Sequence, residues 1–60
     1  MNENIPKDPV LLLSYVNMKL RDFYPTLDDL CASLDIDKAM VIQKLSEIDY
    51  LYDSGQNQFI

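Results

Sequence analysis

TLDDLCASLDIDKAMVIQKLSEI, residues 26–48, is the stretch whose reading decides the fold. Thr26 offers a hydroxyl that can cap a helix, with Asp29 three residues on as a shortened capping box and acids at the positive end of the helix dipole. Leu27, Leu30, Cys31 and Leu34 then recur at helical spacing, so a second helix buries that side. A tight turn is expected at Leu34-Asp35-Ile36. Asp37 is placed to cap a third helix, Ile36 to pack on Val41 as a hydrophobic staple, and Val41, Ile42, Leu45 and Ile48 to face inward. The same stretch carries Asp28, Asp29, Asp35, Asp37 and Glu47, with Asp49 just beyond, against Lys38 and Lys44. That balance is the opposite of a phosphate-binding surface.

Upstream, residues 1–7 lack periodicity and read as a flexible arm, which leaves residues 8–60 as a single domain. Asp8 can accept backbone N–H groups and Pro9 suits a first helical turn, so helix 1 starts there and should end near Tyr24, before Pro25. Leu12, Leu13, Val16, Leu20, Phe23 and Tyr24 form one broad apolar stripe, with Ser14, Asn17 and Arg21 on a polar one. Leu11, Tyr15 and Met18 lie on a further side. They are more apolar surface than a one-sided helix needs, so either the C-terminal aromatics cover them or a partner does.

Downstream of Asp49 the period changes. Tyr50-Leu51-Tyr52, a three-residue Asp53-Ser54-Gly55 loop and residues 56–60 read as a β-hairpin, with Gly55 in the left-handed position and Leu51 sharing a face with Phe59. Gln56, Asn57 and Gln58 are expected on a solvated strand. The fold class is therefore mainly α: a three-helix core with a short C-terminal β-hairpin, a reduced winged-helix-like layout.

Sixty residues hold one domain, and a chain this short buries only about 60% of the surface it exposes when unfolded. There is little room for a deep pocket, and no small-molecule substrate is evident. Ten acids against five bases give a net charge of −5 and a pI near 4.2, which favours neither nucleic acid nor anionic membrane. The apolar run of residues 10–13 is four residues long, far short of a span of about 20 residues. Cys31 is alone, so no internal disulfide can form, and a reducing cytoplasm is the natural setting for a soluble chain.

Residues 27–45 resemble the general helix-turn-helix pattern, with Asp35 at the turn where many members carry Gly. A second resemblance covers nearly the whole chain. Ile5-Pro6-Lys7-Asp8-Pro9, Asn17-Met18-Lys19-Leu20-Arg21-Asp22 and residues 24–31 are similar to a family of bacterial proteins of about this length known only as a domain of unknown function. That resemblance implies a small bacterial stand-alone protein and transfers no catalytic residue, cofactor or partner.

Candidate sites are few. Asn17, Lys19, Arg21 and Asp22 form a polar group in which Arg21 offers a planar five-donor fork; its plainer role is to pair with Asp28 or Asp29 at the helix 1–helix 2 corner. Cys31 sits at core spacing and reads as a small buried hydrophobe. On helix 3 the side opposite Val41 presents Ala39, Met40, Gln43, Lys44 and Glu47, the face that enters the major groove in a DNA-binding module. Met40 at its centre suits a protein contact better than solvent. Candidate partner-binding residues are thus Met40, Gln43, Lys44, Leu11, Tyr15 and Met18.

Catalytic, cofactor and metal sites are not expected. The chain has no His, a single Gly and a single Cys, and the Asp28-Asp29 and Asp35-x-Asp37 pairs lack the ligand series of a calcium loop, reading instead as helix-start carboxylates. The expectation is a non-catalytic protein-interaction module, by self-association or by docking on a larger partner. The alternative is a helix-turn-helix DNA-binding transcriptional regulator, a dimer that concentrates Lys38, Lys44 and Lys19 on one surface.

Overall fold

The computed structural model describes residues 5–60; the first four residues of the expected arm lie outside the described residues. Three helices, α1 (Pro9–Asp22), α2 (Leu27–Leu34) and α3 (Lys38–Ser46), precede an antiparallel hairpin of β1 (Tyr52–Asp53) and β2 (Gln58–Phe59). The chain is thus mainly helical with a C-terminal hairpin, as the periodicities require.

Each helix starts on the residue whose side chain can accept an orphan N–H. Asp8 Oδ2 accepts from the Leu11 N–H at 3.1 Å, Thr26 Oγ1 from Asp29 at 3.1 Å, and Asp37 Oδ1 from Ala39 at 3.0 Å. Helix ends use aspartate where glycine is commoner. Asp35 closes α2 with φ 56°, and the Ile36 N–H then reaches back to the Cys31 carbonyl at 2.9 Å; Asp49 does the same after α3 with φ 66°, sending the Tyr50 N–H to the Leu45 carbonyl at 3.0 Å. Both are six-to-one closures that consume stranded carbonyls.

Leu12, Val16 and Leu20 of α1, Leu27, Leu30, Cys31 and Leu34 of α2, Val41 and Leu45 of α3, Ile36 in the turn and Phe59 of β2 make one buried cluster. Ile36 and Val41, the expected staple pair, both lie in it. Ile5 packs on the cluster too, so the described end of the arm lies against the core. α1 is the central element, packed against α2, α3 and β2.

Four expected placements are corrected. Phe23 is not on the inward stripe but 64% exposed, because the helix ends at Asp22 and the cap residue turns away at φ −127°. Ile42 is 38% exposed, since the core reads the Val41–Leu45 side of α3, whereas Ile48, beyond the helix end at Ser46, is half-buried against the core as expected. The hairpin loop is four residues, 54–57, so Tyr52, not Leu51, stands opposite Phe59, their rings 5.5 Å apart, and Leu51 is 62% exposed. Gly55 does not take the left-handed position; Asn57 does, at φ 54°.

Candidate partner-binding site

Two side-chain amides fasten the hairpin to the helices. Asn17 Oδ1 accepts from the Phe59 N–H at 2.8 Å while its Nδ2 donates to the Phe59 carbonyl at 3.1 Å, so the outer edge of β2 is closed by an amide standing in for a third strand. Leu51 and Ile60 exchange both backbone bonds at 2.9 Å on the inner edge. Phe59 is held there with its ring in the core.

Asn57 is the second amide, and it is not on a solvated strand as expected. Its Nδ2 donates to the carbonyls of Leu20 (3.1 Å) and Tyr24 (2.9 Å), which the end of α1 leaves without helical partners. Its Oδ1 accepts from the Tyr52 hydroxyl at 2.6 Å, and that hydroxyl in turn accepts from the Leu27 N–H, at 3.3 Å, in the first turn of α2. One connected set of bonds therefore serves the end of α1, the start of α2 and the hairpin. No local sequence pattern marks Tyr52 or Asn57 as ties to the helices, because the helix groups they bond are 25 to 37 residues away.

Between α1 and the hairpin lies an open groove of about 510 Å³, lined on one side by Ser14, Asn17, Met18 and Arg21 and on the other by Gln56 and Gln58. Gln58 Nε2 donates to Gln56 Oε1 at 3.1 Å across its rim. Arg21 does not reach Asp28 or Asp29. Its Nε and one terminal nitrogen bond the two oxygens of neighbouring Asp22, each at 3.0 Å, because one residue's separation lets the fork close in solvent. That pair of bonds holds the Asp22 carboxyl below its ordinary range and the guanidinium above its own. Asp28 pairs instead with Lys38, at 2.6 Å, and the bond raises the Lys38 ammonium.

The expected partner-binding residues do not gather in one place. Met18 is 37% exposed at the groove, Leu11 is 60% exposed two turns back along the helix, and Tyr15 is half-buried on the core. The hairpin aromatics therefore do not cover Leu11 and Met18. The Lys19 ammonium stands 5.5 Å from the Tyr15 ring and 5.0 Å from the Phe23 ring, one turn to either side. Met40 is not at the centre of an outward face: it is half-buried against the core, a flexible side chain filling space beside Val41. Gln43 is exposed, whereas Lys44 is half-buried and its ammonium donates to the Lys7 carbonyl at 3.3 Å. Cys31 is buried, and burial pushes its thiol up, away from the reactive thiolate.

A model of a domain of unknown function, DUF4250, matches residues 6–59. The chain belongs to that family. No curated protein and no solved structure matches it. The family's description assigns no chemistry, so the side chains of α1, α3 and the hairpin are what a functional reading rests on. No helix among the described residues is long and apolar enough to cross a membrane.

Proposed function

We propose that this chain is a non-catalytic protein-interaction module, working through the α1–hairpin side of the fold. The observation that carries the reading is a division of the surface. Leu11 on α1 and Leu51 and Ile60 on the hairpin stay more than half exposed, while the exterior of α2, α3 and the turn between them is rich in carboxylates, Asp28, Asp29, Asp35, Asp37 and Glu47, with Ile42 the large apolar side chain there, 38% exposed. Large apolar side chains held in water favour burial against another polypeptide. A carboxylate-rich exterior repels phosphate.

The α3 lysines strengthen the point. Lys38 is paired with Asp28 and Lys44 reaches back to Lys7, which leaves Ala39, Ile42, Gln43 and Glu47 as the exposed side chains of the face that would enter a major groove. A dimeric regulator needs those lysines on one outward surface. The groove beside α1 offers amides, a hydroxyl and one guanidinium, with no group that titrates near neutral pH to serve as acid or base. The module reading carries with it a reducing cytoplasm in a bacterial cell, which suits the lone buried Cys31. Titrating a labelled mixed-sequence duplex at low and at near-physiological salt tests it. No binding at either is expected; tight, salt-sensitive binding would replace this reading with the regulator.

A further inference from the structure

We infer that the exposed stripe of α1 pairs antiparallel with the same stripe of a second copy of this chain. The inference rests on the protein-contact reading above and gives it a partner and a register. Leu11, Ser14, Met18 and Arg21 are all exposed, and they recur at spacings of three, four and three, the repeat of a two-helix seam. The stripe is apolar at Leu11 and Met18, small at Ser14 between them, and charged at both ends. Lys7 and Asp8 stand at one end and Arg21 and Asp22 at the other, all exposed.

Charge fixes the direction. With the second copy antiparallel about a two-fold axis between Ser14 and Tyr15, Leu11 meets Met18 of the other copy, Arg21 meets Asp8 and Asp22 meets Lys7. Symmetry repeats each contact. A parallel pair would set Arg21 beside Arg21 and Asp8 beside Asp8, and a slip of one turn in either direction leaves the ends unmatched. The bonding groups for this are present: Asp8 uses Oδ2 for its cap and Arg21 uses two of its three nitrogens on Asp22.

Charge also selects a second copy as the occupant. Each chain carries a net charge of −5, so two copies can approach only where the local charge cancels, and Lys7, Asp8, Arg21 and Asp22 cancel. The carboxylates of α2 and α3 lie on other elements. The groove beside the stripe, with Gln56 and Gln58 at its far rim, gives the incoming side chains of the second copy space and amide partners. Of the chain's 3975 Å², a standard interface would take about 800 Å² from each copy; a fourteen-residue helix covers less, so the dimer is weak and concentration-dependent.

Sedimentation equilibrium from ~10 μM to ~1 mM tests this, with far-ultraviolet circular dichroism to verify that each variant is folded. The wild type should pass reversibly from monomer to dimer. Leu11→Glu and Ser14→Arg, both at exposed positions, should each weaken association about tenfold or more. Asp22→Lys should weaken it, and adding Lys7→Asp should restore it. A monomer across the whole range, indifference to Leu11→Glu and Ser14→Arg, indifference to Asp22→Lys, or a charge-exchanged chain that fails to recover would each overturn the pairing. Failure here leaves docking on a different polypeptide standing, whereas only duplex binding removes the module reading.

Discussion

The α2–turn–α3 half and the α1–hairpin half of this molecule are held by different kinds of bond. In the first, the polar contacts that start and end the helices are mostly local: Thr26 and Asp37 cap helices within three residues of themselves, and Asp35 closes α2 onto Cys31. In the second, the shaping contacts span 25 to 42 residues, from Asn17 to Phe59, Asn57 to Leu20 and Tyr24, and Tyr52 to Leu27. The first half is acidic outside. The second keeps Leu11, Leu51 and Ile60 more than half exposed to water. A half built locally is robust to change at its partner, while one built on distant amides fails as a unit, so substitutions in the two halves should differ in size.

Phe59→Ala should have the largest effect. It removes the only hairpin side chain in the buried cluster, costing about 3–5 kcal/mol, against roughly 3–9 kcal/mol of total stability for a chain of this length. Urea denaturation should find the variant largely unfolded, or too unstable to give a native baseline; a loss under about 1 kcal/mol would mean that the helices stand without the hairpin. Next comes Asn57→Ala, which strands two carbonyls and a hydroxyl and should cost about 2–3 kcal/mol. Thr26→Ala, in the other half, should cost about 1 kcal/mol. Asn57→Gly keeps the left-handed backbone and loses the same bonds, so a loss close to that of Asn57→Ala would assign the effect to the amide and not to φ.

Asn17→Ala should cost about 1–2 kcal/mol, two part-buried bonds to one residue, and hydrogen exchange at the Phe59 amide should quicken while that at Leu30 changes less. The smallest effect has the opposite sign. Asp35→Gly relieves a left-handed aspartate in the local half and should stabilise by under about 1 kcal/mol, read as a small rise in the urea midpoint.

Legibility followed the same division. Caps at Asp8, Thr26 and Asp37, the inward leucines of α2 and the turn at Asp35 could all be read because their causes lie within a few residues in the chain. Phe23, Met40 and Leu51 depart from their periodic positions for one shared reason. Each sits at or near an element's end or edge, where periodicity stops deciding orientation and a distant neighbour takes over. Helical spacing points Arg21 to a distant acid although Asp22 stands beside it, and no sequence pattern announces that Asn57 caps another element's end. Composition implies an acidic exterior, but the bonds of Lys38 to Asp28 and of Lys44 to the Lys7 carbonyl arise only once the fold brings those groups together.

The most direct test of where this molecule makes its contacts is a set of amide proton–nitrogen spectra, recorded as protein concentration rises and again as mixed-sequence duplex is added. Concentration-dependent shifts are expected at Leu11, Ser14, Met18 and Arg21, and none on α3 with duplex. Shifts at Ala39, Gln43 and Lys44 on adding duplex, with α1 silent throughout, would contradict it.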